Sequence, residues 1–152
     1  MKVLVVSDSH GNPSALCRAI LKEKPDCVIH LGDGFNDIPA SLDVPCYRVC
    51  GNCDPISCGL GETLVIELEG VRLLLTHGHK YNVKNTLSPI YLAAMEEGAQ
   101  IALFGHTHIP FSDIDDKSVS LFNPGSIRHP PHSYSTIVLR DGKFSHRHRT
   151  LL

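Results

Sequence analysis

The sequence predicts an α/β fold in which two sheets pack together with helices on the outside. Two observations carry that expectation. Up to Phe104, short apolar β-type runs alternate with helical segments, the pattern of parallel units. Beyond Phe104 strand signals follow one another with no helix between them, the pattern of an antiparallel set. A chain of 152 residues can bury one sizeable core. With no internal repeat, low-complexity tract or long linker, residues 1–152 read as a single domain.

The elements follow in order. Lys2–Val6 reads as a buried strand. Asn12-Pro13 opens a helix, with asparagine as cap and proline at the first helical position, and Leu16, Cys17, Ile20 and Leu21 mark its buried face. Cys27–Leu31 and Cys46–Cys50 are the next two buried strands. Thr63–Leu68 and Val71–Leu75 flank Glu69-Gly70, a hairpin signal. Pro89–Glu97 reads as a helix ending near Gly98, and Ile101–Phe104 as another buried strand. The antiparallel set comprises a strand before Asp115-Asp116, Ser120–Phe122, Thr136–Leu139, a turn at Asp141-Gly142, and Lys143–His148.

Composition narrows the function classes. Apolar residues at 42% and charged residues at 20% describe a globular chain and exclude a disordered one. A net charge of −2 excludes a polyanion binder working through its whole surface. The basic stretch Ser145-His146-Arg147-His148-Arg149 reads as an exposed edge strand or frayed tail, with nucleic-acid contact as the minority reading. The apolar start ends at Val6, too short for a signal peptide or a membrane span. A cytoplasmic location is therefore expected, with the six cysteines free and Cys17, Cys27 and Cys46 in the core. Cys50-x-x-Cys53 has no second pair to complete a zinc site, and Asp54-Pro55 turns the chain where a redox motif would open a helix.

The chemistry lies in where the polar residues fall. Five apolar strands each finish in a metal-friendly cluster: Asp8-Ser9-His10, Gly32-Asp33, Gly51-Asn52-Cys53-Asp54, His77-Gly78-His79 and Gly105-His106-Thr107-His108. Ligands of α/β folds bind at the carboxyl ends of strands, so these clusters are expected to converge on one crevice. Asp-x-His or Gly-Asp alone is ordinary turn chemistry. Five such clusters, each after an apolar run, are not. Carboxylates, imidazoles and an amide together suit Mn²⁺, Fe²⁺, Zn²⁺, Co²⁺ or Ni²⁺ better than Ca²⁺ or Mg²⁺. Seven ligands exceed what one open catalytic ion needs, and two ions sharing a carboxylate use them all.

In these motifs the sequence resembles the calcineurin-like metallophosphoesterases, and the resemblance covers nearly the whole chain. It rests on Asp8-x-His10, Gly32-Asp33, Gly51-Asn52-x-Asp54, His77 and Gly105-His106-x-His108. Asn123-Pro124-Gly125-Ser126, the Thr76-His77-Gly78-His79 form and Gly-Asn-Cys-Asp look like the compact prokaryotic phosphodiesterase branch. The resemblance implies a four-layer αββα sandwich and hydrolysis of a small phosphodiester by a metal-bridging hydroxide, with Mn²⁺ the leading metal. It implies that Asp8, His10 and His108 bind one ion, that Asn52, His77 and His106 bind the other, and that Asp33 bridges them. Asp33, Asn52, Cys53, Asp54 and His79 become the candidate catalytic group, with Asn52 and Arg128 toward the substrate.

One departure bears on mechanism. Cys53 stands where many members carry a histidine proposed to assist the leaving group, and a thiol is a poor substitute for an imidazolium. His79 is placed either to supply a proton or to orient His77, and Arg128 either to clamp phosphate or to cap its loop. Two other functions are compatible with the pattern: a non-catalytic scaffold like the retromer subunit of this fold, and a small nuclease. All seven metal-site residues are intact, which favours an enzyme. No membrane partner is expected, and the sequence leaves a homo-oligomer open.

Overall fold

The chain runs through β1 (Lys2–Val6), α1 (Pro13–Glu23), β2 (Cys27–His30), β3 (Cys46–Arg48), β4 (Thr63–Leu68), β5 (Val71–Thr76), α2 (Ser88–Glu96), β6 (Ile101–Leu103), β7 (Pro110–Asp113), β8 (Ser120–Pro124), β9 (Ser133–Arg140) and β10 (Lys143–Thr150). The computed structural model describes residues 1–152 and arranges the strands in two five-stranded sheets. The first has the order β10-β9-β1-β2-β3, parallel from β1 to β3 and antiparallel at β9 and β10. The second has the order β4-β5-β6-β8-β7, parallel through β5, β6 and β8 with antiparallel strands at both edges. No helix is long and apolar enough to cross a membrane.

Period-two alternation explains the layers. Val3 and Val5 of β1 face the second sheet, where they join Ile29, Leu73, Leu75, Leu103 and Phe122 in the largest core cluster. Leu4 and Val6, on the opposite face, pack against Leu16 and Ala19 of α1. β1 is apolar throughout because both of its faces are covered. The second sheet repeats the arrangement, with Leu74 and Ala102 turned outward onto Ile90 and Ala94 of α2. The order of layers is therefore α1, first sheet, second sheet, α2, the expected αββα sandwich.

Local chemistry sets the ends of α1. The Asn12 side chain accepts a hydrogen bond from the Ala15 N–H at 3.2 Å, a cap that contributes about 1 kcal/mol. At the other end Glu23 is buried, bonded to Lys2 Nζ at 2.6 Å and to the Tyr134 hydroxyl at 2.8 Å. Burial alone would raise the Glu23 pKa, and Lys2 and Tyr134 outweigh it, so the carboxyl is held below its ordinary value.

Several sequence expectations need correction. The face that α1 buries is Ala15, Leu16, Ala19 and Glu23, while Leu21 is 74% exposed. Small alanines let the helix approach the sheet, and Leu21 lies about 140° around the helix from Leu16. Cys27 is buried, whereas Cys17 and Cys46 are only half-buried. β2 and β3 stop at His30 and Arg48, because the residues after them are bent into the ligand loops. The basic stretch does form an edge strand: β10 pairs with β9 alone, with Arg147 and Arg149 exposed.

Candidate metal centre

The carboxyl ends of β1, β2 and β3 in one sheet, and of β5 and β6 in the other, meet along one edge of the sandwich. Two groups of ligand atoms form there, Asp8 with His10 and His108, and Asp33 with His77 and His106. Within each group the donor atoms lie within 4.8 Å of one another. Asp8 Oδ1 is 3.0 Å from His108 Nε2 and 3.6 Å from His10 Nε2. Asp33 Oδ2 is 3.2 Å from His77 Nε2 and 3.8 Å from His10 Nε2, and Asp8 Oδ1 is likewise 3.8 Å from His77 Nε2, so both carboxylates reach across the two groups.

The remaining lone pairs of these side chains are already committed, which aims the free ones. Asp8 Oδ2 accepts from the Ser7 hydroxyl at 2.5 Å and from the His106 N–H at 3.1 Å. Asp33 Oδ1 accepts from the Cys53 N–H at 2.8 Å. His77 Nδ1 donates to the Leu31 carbonyl at 2.7 Å, leaving Nε2, which faces the carboxylates, to take a proton or a cation. Asp8 Oδ1 and His77 Nε2 are buried with no hydrogen-bond partner. A buried orphan acceptor costs about 1–3 kcal/mol unless something binds it, and two facing one crevice fit a cation.

The electrostatics agree. Burial opposes charge on Asp33, and His77 and the Cys53 N–H outweigh it, holding the carboxyl well below the usual range. Burial likewise lowers His77, but Asp33 and Asp8 outweigh it and raise the imidazole above its ordinary value. The two carboxylates thus favour positive charge at this point. His106 is pushed down to about 4, mainly by burial, which keeps its ring neutral as a metal ligand must be.

The backbone is bent to reach this geometry. Asp8, His10, Asp33, His106 and His108 all have positive φ, between 43° and 67°. Such a conformation costs a non-glycine residue roughly 1–3 kcal/mol and persists only where the surroundings over-determine it. Neighbouring glycines supply room: a Cβ on Gly51 would lie 2.1 Å from Asp33 Oδ1, and one on Gly105 would lie 2.0 Å from Ser7 Oγ.

The other expected site residues take varied places. Cys53 is exposed, and its sulfur lies in a third group with His10 and Asp33. Burial and the Asp33 charge raise its pKa, so the thiol stays protonated at neutral pH. Asn52 lies on the exposed rim, its amide donating to Cys53 Sγ at 3.5 Å. Asp54 does not face the crevice chemistry: both of its oxygens are taken by the N–H groups of Asp33, Gly34, Phe35 and Gly51 at 2.8–3.2 Å. It clamps two ligand loops together. His79 bonds to Glu62 at 3.1 Å, and His77 is oriented by the Leu31 carbonyl, which removes the orienting role considered for His79. The Arg128 guanidinium donates to the His10 carbonyl, which ties Arg128 to the Asp8–His10 loop.

Sequence reasoning missed other members. Ser7 fixes Asp8, and the Ser126 hydroxyl donates to the Asp8 carbonyl at 2.8 Å. Asn123 Nδ2 donates to the Gly105 carbonyl at 2.9 Å and to Thr107 Oγ1 at 3.0 Å. His129 stacks on His108 at 4.9 Å between centroids. The Asn123–Ser126 motif marked the segment, and nothing in the residue pattern marked His129.

The chain as a whole is similar to known proteins. The family model described as "Calcineurin-like phosphoesterase superfamily domain" matches residues 1–143. The probable metallophosphoesterase YsnB of Bacillus subtilis is 35% identical over 93% of this chain and 86% of its own. The phosphodiesterase YfcE of Escherichia coli K12 is 28% identical over 90% of this chain and 87% of its own. A crystal structure from Streptococcus pneumoniae, titled a predicted phosphoesterase, superposes with a TM-score of 0.82 at 30% identity, covering 99% of this chain and 89% of that one.

Proposed function

The chain belongs to the calcineurin-like phosphoesterase superfamily, and from that premise we propose that it is a two-metal phosphodiesterase acting on a small substrate. The observation that carries the reading is the pair of orphaned buried acceptors, Asp8 Oδ1 and His77 Nε2, facing one crevice between two ligand groups. Asp8, His10 and His108 would hold one ion; His77, His106 and Asn52 would hold the other; Asp33 would serve both. Mixed carboxylate and imidazole donors suit Mn²⁺, Ni²⁺, Fe²⁺, Co²⁺ and Zn²⁺, and Mn²⁺ is the first to test. Bound there, divalent ions would activate water and offset the charge that grows on the phosphoryl oxygens.

The chain's own residues set the rest. Ser7, Leu31, Asp54 and Ser126 hold the ligands from behind, so the free lone pairs stay aimed without reorganisation. Cys53, beside His10 and Asp33, is a protonated thiol and a weak donor to a leaving oxygen. This favours esters whose alcohol already leaves well. The phosphodiester class is supported by the likeness to YfcE. Six free cysteines support a reducing, cytoplasmic setting.

The test is turnover of bis(p-nitrophenyl) phosphate by chelator-stripped protein, followed by Mn²⁺ addition. Stripping should abolish the rate and Mn²⁺ should restore it. Full activity in excess chelator would contradict the reading. No turnover of any phosphoester with Mn²⁺ bound would turn the assignment to a scaffold, and preference for oligonucleotides to a nuclease.

A further inference from the structure

Beyond the ligands themselves, a line of buried polar groups ties two ligand loops together. His30 ends β2 and is completely buried in a strand whose other members, Cys27, Val28 and Ile29, are apolar. A buried imidazole must place both of its nitrogens. Nδ1 accepts from the Gly32 N–H at 3.1 Å, and Nε2 lies 2.9 Å from Ser9 Oγ. The Ser9 hydroxyl donates to Asp37 Oδ2 at 2.5 Å, and the same oxygen accepts from the Gly11 N–H at 2.9 Å.

The direction of the line follows from its parts. Burial pushes His30 down to about 4, so the ring carries one proton at neutral pH. Because Nδ1 receives the Gly32 N–H, that proton is on Nε2 and is donated to Ser9. Ser9 has one hydrogen of its own, and it goes to the Asp37 carboxylate. Every donor and acceptor along the line has a single role.

The line has a place as well as a chemistry. One end grips Gly32, the residue before Asp33. The middle is Ser9, between Asp8 and His10, and the far end holds Gly11. The chain leaves room for it at Gly34, where a Cβ would lie 1.9 Å from Ser9 Oγ and 2.6 Å from Asp37 Oδ2. An apolar residue at position 30 would fill the strand equally well. Two backbone bonds already join the loops, from the Asp8 N–H to the Gly32 carbonyl at 3.0 Å and from the His10 N–H to the Asp33 carbonyl at 2.9 Å, and the polar line adds a buried side-chain brace beside them.

We propose that Ser9, His30 and Asp37 are positioning residues that set the spacing of the two ligand loops and thereby the metal affinity of the site. The inference rests on the two-metal reading above. Asp54 braces the Asp33 loop on its side toward Gly51, and this line braces it on its side toward Asp8.

The experiment is calorimetric titration of Mn²⁺ into chelator-stripped full-length protein, with the melting temperature of each variant recorded alongside. Ser9→Ala and Asp37→Ala should each weaken Mn²⁺ binding by about 10–100-fold. Asp37→Asn should recover most of that loss, since an amide oxygen still accepts from Ser9 and Gly11. The double variant Ser9→Ala/Asp37→Ala should bind no more weakly than the worse single, because both cut one line. Ser9→Ala removes only one oxygen and carries the test if Asp37→Ala does not fold. Variants that melt lower yet bind Mn²⁺ like wild type would overturn the inference and leave the two-metal reading standing. A wild-type protein that takes up no Mn²⁺ would overturn both.

Discussion

Two regions of this molecule are dense in histidine, and they behave in opposite ways. At the carboxyl edge His10, His77, His106 and His108 surround two buried carboxylates, with Asp8 Oδ1 and His77 Nε2 left unpaired. Near the β10 edge His146 and His148 lie 4.6 Å apart between centroids, with no carboxylate beside them. His146 stacks on Phe122 at 4.0 Å, and both imidazoles bond to Ser135. The first cluster is polar, under-satisfied and strained, while in the second both imidazoles have a partner in Ser135 and His146 is stacked. Histidine density alone does not make a metal site. What makes one is committed second nitrogens, free lone pairs and negative charge at the same point.

Breaking the first cluster should have the largest effect. Asp33→Asn removes one of the two carboxylate charges that face both ligand groups, and should lower kcat toward an aryl phosphodiester by at least about 100-fold. The same variant should lose bound metal by elemental count. Wild-type rate with a full metal complement would contradict the shared role of Asp33.

Exchanging the same truncation between the two clusters sharpens the contrast. His77→Ala should abolish tight Mn²⁺ binding while folding is retained. His146→Ala should leave Mn²⁺ binding alone and lower stability by about 1–3 kcal/mol, through the lost stack and the cavity. Calorimetry and urea denaturation on both variants would separate these outcomes, and a His146→Ala protein with weakened Mn²⁺ binding would erase the distinction.

The packed cluster also predicts a pH dependence. Burial, with a smaller push from His148, brings His146 down to about 4, against an unfolded value near 6.5. The unfolded chain therefore binds the extra proton between those values, and stability should fall as pH drops from about 6.5 to about 4. His146→Phe keeps the stack and removes the titration, so its melting temperature should decline less over that window. Parallel melting curves for the two proteins would show that His146 does not contribute.

The smallest effect concerns Cys53. Cys53→His should make the rate less dependent on leaving-group pKa, helping alkyl esters more than aryl ones. General acids commonly contribute about 10²–10⁴-fold, and an imidazole not placed for the task should recover a part of that. A leaving-group series at equal metal occupancy is the measurement, and identical slopes would mean that Cys53 is a spectator.

Both the sandwich and the ligand edge were readable because they follow from periodicity. β1 is apolar at consecutive positions only because sheet and helix cover its two faces, and the polar cluster at its end has nowhere to go but the edge. Roles that depend on where a lone pair points were not readable. Asp54 reads as a member of the catalytic group in Gly-Asn-x-Asp, while in the structure its oxygens are occupied by four N–H groups. His30 passes as the end of a strand, and Asp37 as one more turn residue, because their partner Ser9 is distant in sequence. Leu21 fits a helical apolar stripe, and only the close approach allowed by Ala15 and Ala19 shows why it is left outside.

The central claim is that two ions share this edge, and crystals soaked in MnCl₂ test it most directly through anomalous scattering at the manganese edge. Two peaks are expected, one among Asp8, His10, His108 and Asp33, the other among Asp33, His77, His106 and Asn52. A single peak at full occupancy, or ions held elsewhere in the molecule, would contradict the account.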